Sequence, residues 1–249
     1  MVSLIRAPAD GDPGGRRDGL RNGARVPLLA LCAELDAQHI ERLEALCAEL
    51  RPVNRGAALF RQGDPMTALF EVHAGCFKTG VTDVQGRTQV TGFHLPGDLL
   101  GLDAIGGDHH SADAVALEDG MVCVIPFEPL NLLLREFAPL QHEFHKLMSR
   151  EITRDQAMML VLGTLSAEGR IAAFLLDLTR RLHARGFSAT SLLLRMTREE
   201  IGSYLGLQLE TVSRTFSKLA QGGVLEIHNR DLHVRDVAAL ERLVQGGAR

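Results

Sequence analysis

Residues 197–219 set two short apolar periodicities on either side of a single glycine, and no other stretch limits the fold so narrowly. Thr197 and Glu200, three residues apart, form the capping-box pattern that starts a helix, and Ile201, Tyr204 and Leu205 supply its buried face. Gly206 stands where a left-handed residue ends such a helix. Leu209, Val212, Phe216 and Leu219 then resume the helical period through Gln221. Two short helices joined by a glycine turn predict a helix-turn-helix. Residues 224–227 and 232–234 flank Asn229, Arg230 and Asp231 and predict a β-hairpin behind it, the wing of a winged helix.

With the apolar residues of the second helix turned inward, Glu210, Thr211, Ser213, Arg214, Ser217 and Lys218 face out. An arginine can bond both acceptors of a guanine edge, a carboxylate can accept from a cytosine amino group, and a serine can reach a base or a phosphate. Glu210, Ser213 and Arg214 are therefore expected to read adjacent base pairs in a major groove of double-stranded DNA. The plainer alternative is an i,i+4 pair of Glu210 with Arg214 on a solvated helix. Thr197, Arg198, Thr211, Ser217 and Lys218, with Arg230 and Arg235, are candidates for phosphate contacts. The charge agrees in sign: residues 1–163 carry 15 Lys+Arg against 22 Asp+Glu, whereas residues 164–249 carry 12 against 9.

The remainder of the 249 residues falls into three parts. Residues 1–25, rich in Gly, Arg and Asp without a hydrophobic period, predict a mobile tail. Apolar residues at helical intervals over 27–50 predict one or two short helices. Short runs at 58–60, 69–72, 76–81 and 89–93, separated by glycine corners, predict an all-β sandwich or roll. Helical spacing returns from Pro139 to Gly163, where Met148, Ile152, Asp155, Met159 and Leu162 step by 4, 3, 4 and 3. That is a coiled-coil seam, or else one face of a helix packed on its own domain. If the helix pairs in parallel with a copy, each Asp155 faces its twin and opposes association until Arg150 and Arg154 screen it. The alternative for Asp155 is an exposed helix-surface acid. The expected organisation is α+β: tail 1–25, β-roll sensor 26–137, dimerisation helix 138–163 and winged helix-turn-helix 164–249. No apolar run approaches the ~18 residues of a membrane span. No apolar stretch of secretory length follows the N-terminal arginines, so the chain is expected in the cytoplasm.

The string Met-Thr-Arg-Glu-Glu-Ile-Gly-Ser-Tyr-Leu-Gly-Leu-Gln-Leu-Glu-Thr-Val-Ser-Arg at 196–214 closely resembles the DNA-binding segment of the Crp/Fnr superfamily of bacterial transcription regulators. Residues 91–101, 121–127, 147–152 and 185–188 look like its FNR (fumarate and nitrate reduction) branch, so the similarity spans about residues 28 to 235. The resemblance implies a β-roll (jelly roll) like a cyclic-nucleotide-binding domain, a long dimerisation helix and a winged helix. It also implies a homodimer on a two-fold symmetric TTGAT-N4-ATCAA-like site, control of low-oxygen or redox-dependent genes, and contact with RNA polymerase around Gly86. The Glu-x-x-Ser-Arg of that branch falls on Glu210, Ser213 and Arg214.

Three sensing chemistries can be weighed against this resemblance. Cyclic-nucleotide relatives hold the phosphate with an Arg-Ser pair, where this chain reads Asp108-His109-His110-Ser111, so cAMP is not expected as a ligand. FNR-type oxygen sensors hold a [4Fe-4S] cluster on four cysteines. Cys123 matches the strand ligand and Cys32 the last N-terminal one, and the other two are missing. Three readings stand: a cluster rebuilt from Cys32, Cys47, Cys76 and Cys123, a Cys32 and Cys123 redox pair, or buried thiols without chemistry. Finally, His94, Asp108, His109 and His110 suggest a rival from another class, a cupin-like metal-dependent enzyme or a small-ligand-binding roll, which requires these side chains to converge.

Overall fold

The computed structural model describes residues 37–47 and 49–246. The expected tail, the start of the first helical stretch and Cys32 lie outside the described residues. Helix α1 (Ala37–Leu46) leads into strands β1 (Glu49–Val53), β2 (Ala58–Phe60), β3 (Ala68–Ala74), β4 (Phe77–Thr82), β5 (Thr88–His94), β6 (Leu99–Leu100), β7 (Asp113–Ala116) and β8 (Gly120–Pro126). Leu50, expected in a helix, instead pairs with Cys123 in β1. The reason is Pro52, which a helix interior rejects but an edge strand tolerates, and β1 is an edge strand.

The eight strands form two antiparallel sheets ordered β1-β8-β3-β6 and β2-β7-β4-β5. Alternation along β8 divides two cores. Val122 and Val124 point between the sheets toward Phe60, Phe70 and Phe77. Cys123 and Ile125 point the other way, under α1, α2 (Phe127–Glu136) and the start of α3 (Ala138–Thr164). Helix α2 lies where only roll was expected, and it packs through Leu130, Leu133 and Leu134.

The 27 residues of α3 reach about 40 Å. Pro139 sits in its first turn, where a missing N–H costs nothing. Leu140 and Phe144 anchor it on the roll. Further along, Ile152, Met159 and Leu160 are 59%, 64% and 53% exposed, an apolar face that one chain leaves uncovered.

Beyond α3 come α4 (Ala167–His183), β9 (Ser191–Leu193), α5 (Arg198–Leu205), α6 (Leu209–Gln221), β10 (Leu225–His228), β11 (Asp231–Val234) and α7 (Val237–Gly246). The small sheet is ordered β10-β11-β9, and the β10–β11 hairpin turns at Asn229, whose φ is 58°. This module is not separate from the roll. The β4–β5 pairing slips between Thr79 and Gly80, leaving Thr91 as the extra residue of a bulge. Regular alternation would send Val90 and Phe93 to opposite faces. The bulge brings both into one core with Phe174, Leu175, Ile201 and Leu205 of the C-terminal helices. Phe93 meets Tyr204 edge-on, with ring centroids 5.2 Å apart.

Candidate nucleic-acid interface

The first helix of the pair is fixed at both ends by local chemistry. The Glu200 N–H donates to Thr197 Oγ1 at 3.1 Å and the Thr197 N–H donates to Glu200 Oε2 at 2.7 Å, which completes the capping box. Gly206, with φ 63°, closes the other end. Gly202 allows the turn to fold back: a Cβ there would lie 2.6 Å from the Leu207 carbonyl oxygen. Arg170 of α4, which sequence reasoning did not single out, is buried and donates from Nε to the Leu165 carbonyl and from Nη1 to the Leu205 carbonyl, both at 3.0 Å. It thereby ties the end of α5 to α4. Its only trace in the sequence is an arginine beside Ile171 in an otherwise apolar stripe.

On α6, Val212, Thr215, Phe216 and Leu219 are buried. Leu209, expected inward, is 44% exposed. It occupies the first helical position, where no preceding turn covers a side chain leaning toward the N-terminus. Glu210, Ser213, Arg214, Ser217 and Lys218 are exposed, and their spacing places them on one face. Among the described residues no ion pair joins Glu210 to Arg214.

The residues suggested for phosphate contact are placed unequally. Ser217 and Arg230 are exposed, the latter at the tip of the wing. Thr211 is half-buried, and the Thr197 hydroxyl is engaged in the cap. The Arg198 guanidinium lies 3.4 Å over the Phe216 ring, with Nη1 buried and unpartnered, and burial pushes its pKa down. Lys218 pairs with Glu168 of α4, and Arg235 with Glu226 of the wing.

On α3, Ile152, Asp155 and Met159 are exposed, and Met148 and Leu162 are half-buried. Arg154, expected to screen Asp155, instead pairs with Glu151 at 2.6 Å. Glu151 lies one turn toward the roll, where burial raises its pKa and makes it the acid in greater need of a partner.

Among the described residues neither the cysteines nor the histidines converge on one centre. Cys123 Sγ donates to the Cys47 carbonyl at 3.0 Å, and a hydrogen bond with the Cys47 side chain holds the Cys123 thiol below its ordinary range. Cys76 lies in the core shared with the C-terminal helices, where burial pushes its thiol up to about 12. Among the described residues Cys76 therefore does not gather with Cys47 and Cys123 as a cluster built on all four cysteines requires, and the Cys32 and Cys123 pair falls partly outside the described residues. His94 Nε2 is 3.1 Å from Thr79 Oγ1. His110 stacks on Phe60 at 3.7 Å beside Asp103, and His109 is exposed. The convergence a cupin-like centre needs does not occur: no three His, Cys, Asp or Glu side chains among the described residues are grouped to hold a metal ion. Asp103 accepts the Ser111 N–H at 2.7 Å and its hydroxyl at 3.1 Å, so the loop of His109, His110 and Ser111 closes on an acid.

Comparison with known proteins agrees with this geometry. Residues 169–243 match the family model of the Crp-like helix-turn-helix domain, and residues 50–137 match that of the cyclic nucleotide-binding domain. The transcriptional regulatory protein btr of Bordetella pertussis is 44% identical over 84% of this chain and 87% of its own. The transcriptional activator protein anr of Pseudomonas aeruginosa is 43% identical over 88% and 89%. The fumarate and nitrate reduction regulatory protein of Escherichia coli K12 is 41% identical over 88% and 87%. Among solved structures, FixK2 of Bradyrhizobium japonicum superposes with a TM-score of 0.73, at 30% identity over 78% of this chain and 96% of that one. These relatives are regulators and not enzymes, and the chain belongs to the Crp/Fnr family of transcription regulators, of FNR/Anr type.

Proposed function

We propose that the protein acts in the cytoplasm as a homodimer on a two-fold symmetric site of the TTGAT-N4-ATCAA kind. In this reading Glu210, Ser213 and Arg214 read base edges, and Thr197, Arg198, Thr211, Ser217 and Lys218 hold the backbone. The observation that carries it is the exposed trio at the start of α6, with no ion pair between its acid and its arginine. Dimerisation runs along Met148, Ile152, Asp155, Met159 and Leu162, whose exposed members otherwise leave an apolar face in water. The genes controlled are those of low-oxygen or redox-dependent metabolism, a reading supported by relatives named for anaerobic regulation and for fumarate and nitrate reduction. The turn around Gly86 is the proposed contact with RNA polymerase. Neither cAMP nor a four-thiolate cluster is part of this reading, because the loop of His109, His110 and Ser111 closes on Asp103 and the described thiols fall in two cores.

Fluorescence anisotropy with duplexes mutated one position at a time tests the readout. Arg214→Ala is expected to lose about 1 to 3 kcal/mol of discrimination at a guanine position, with the other positions little changed. Unaltered selectivity in that variant would refute the role given to Arg214.

A further inference from the structure

The roll grips the first helix of the helix-turn-helix directly. Strand β5 is the outer strand of its sheet, and its free edge meets α5 rather than water. The Val90 N–H donates to Ser203 Oγ at 2.9 Å, and the Gln89 side-chain amide donates to the Ser203 carbonyl. One strand inward, Lys78 Nζ donates to Glu200 Oε1 at 2.7 Å in a partly buried pair. Glu200 is the same carboxylate whose other oxygen completes the capping box with Thr197. One side chain of the roll is therefore joined to the group that starts the helix preceding the recognition helix.

The other ion pairs between the two parts lie on other elements. Asp98 of the roll takes Arg181 and Arg185, the latter at 2.6 Å, and Glu118 takes Arg195 at 2.6 Å. Those contacts hold α4 and the approach to α5. Among the described residues, the polar contacts between the roll and the helix-turn-helix are those of Lys78 and the β5 edge, beside the packing of Phe93 on Tyr204.

We propose that Lys78 is a positioning residue for DNA recognition: through Glu200 it sets the angle at which α6 is presented, and so the spacing between the two recognition helices of a dimer. The inference rests on the DNA-binding reading above. Two half-sites are engaged together only when the helices stand about one DNA turn apart, so a loosened angle shows first as lost spacer preference.

The test uses the full-length protein and three duplexes carrying TTGAT half-sites separated by three, four or five base pairs, with a single half-site as control. Lys78→Met keeps the apolar stem and removes the charge. Glu200→Gln removes the charge from the other side and leaves a residue that still completes a capping box. Either variant is expected to weaken binding to the preferred duplex about tenfold, flatten the preference among spacers, and change single half-site binding by less than about twofold. Lys78→Arg is expected to restore both affinity and spacer preference. Unchanged spacer preference in both charge-removing variants overturns the proposal, as does tighter binding, which would mean that the contact holds the helices out of register. Wild-type protein that binds none of the duplexes overturns the DNA-binding reading together with it. Should Lys78→Met lose its folded circular dichroism spectrum, Glu200→Gln decides alone.

Discussion

The winged helix and the roll treat polar side chains in opposite ways. At the start of α6 an acid, a hydroxyl and an arginine stand in water without an ion pair among them. In the roll the comparable groups are spoken for: Asp103 accepts from Ser111, His110 lies between Phe60 and Asp103, and Asp98 takes two arginines. Burial alone would raise the Asp98 pKa, yet Arg181, His94 and Arg185 outweigh it and hold the carboxyl below its ordinary value. Exposed charges are hydrated and need no partner, whereas a buried one left alone costs several kcal/mol. The contrast separates a surface left to solvent from a framework whose polar groups are largely satisfied within the chain.

That contrast breaks most visibly at Gly202, because the open surface of α6 depends on a closed turn behind it. An alanine Cβ there would sit 2.6 Å from the Leu207 carbonyl and 3.4 Å from Val212 Cγ2, and the first of these is backbone that cannot swing away. Gly202→Ala is expected to destabilise the winged helix by about 2 to 3 kcal/mol, through overpacking rather than through φ. Calorimetry reads it as a lowered Tm, and a variant melting with the wild type would show that the turn is looser than its geometry.

The same contrast explains what the sequence revealed. Thr197, Glu200, Gly206 and the apolar face of α6 act within one or two turns of chain, so their pattern carries the motif by itself. The pairing of Glu200 with Lys78 spans 122 residues and no periodicity announces it. Cys47 and Cys123 likewise meet across 76 residues, a contact that no local pattern announces. The bulge at Thr91 also hid, because a strand read by strict alternation places Val90 and Phe93 on opposite faces. Helices α2 and α7 were local enough to find. Leu130, Leu133 and Leu134 carry the i, i+3, i+4 signature, and Leu240, Leu243 and Val244 repeat it. Their neighbours in the sequence, a roll on one side and a wing on the other, drew the expectation away.

A smaller effect tests the closed side of the comparison, where one atom is an exception. His94 Nδ1 is buried without a hydrogen-bond partner, and burial pushes the ring's pKa down to about 3 despite Asp98 and Asp103, with Arg154 and Arg181 acting in the same sense as burial. The unfolded chain takes up that proton near pH 6.5. In the window between these values the unfolded state binds more protons, so stability falls as pH falls, by at most about 1.4 kcal/mol per pH unit. The Asp98 carboxyl, lowered in the folded state, adds its own loss only below the ordinary carboxylate range near pH 4. Urea unfolding between pH 6.5 and 4.5 therefore isolates the histidine as the difference between wild type and a His94 variant, since Glu151, whose pKa burial raises above the ordinary value, is present in both. His94→Gln is expected to flatten the slope there, and an equal slope in both proteins would place the titrating group elsewhere.

The smallest effect belongs to the open side, on α3. Asp155 is exposed on the face that carries Ile152 and Met159, and Arg154 is turned away to Glu151. If that face pairs with its copy in parallel, two carboxylates approach one another with Arg150 alone of the two expected arginines left to screen them. Like charges a few ångströms apart at a partly hydrated surface repel by about 1 kcal/mol, and salt screens them. Asp155→Ala is expected to tighten the monomer–dimer equilibrium about fivefold at low ionic strength, and less in 1 M salt where the Debye length is about 3 Å. Sedimentation equilibrium measures both. Because alanine removes a charge and a hydrated side chain together, Asp155→Asn separates them: a gain shared by both variants and abolished by salt comes from charge. An equilibrium that neither variant moves would place Asp155 off the seam, and the exposed apolar face of α3 would then need a pairing other than the parallel one.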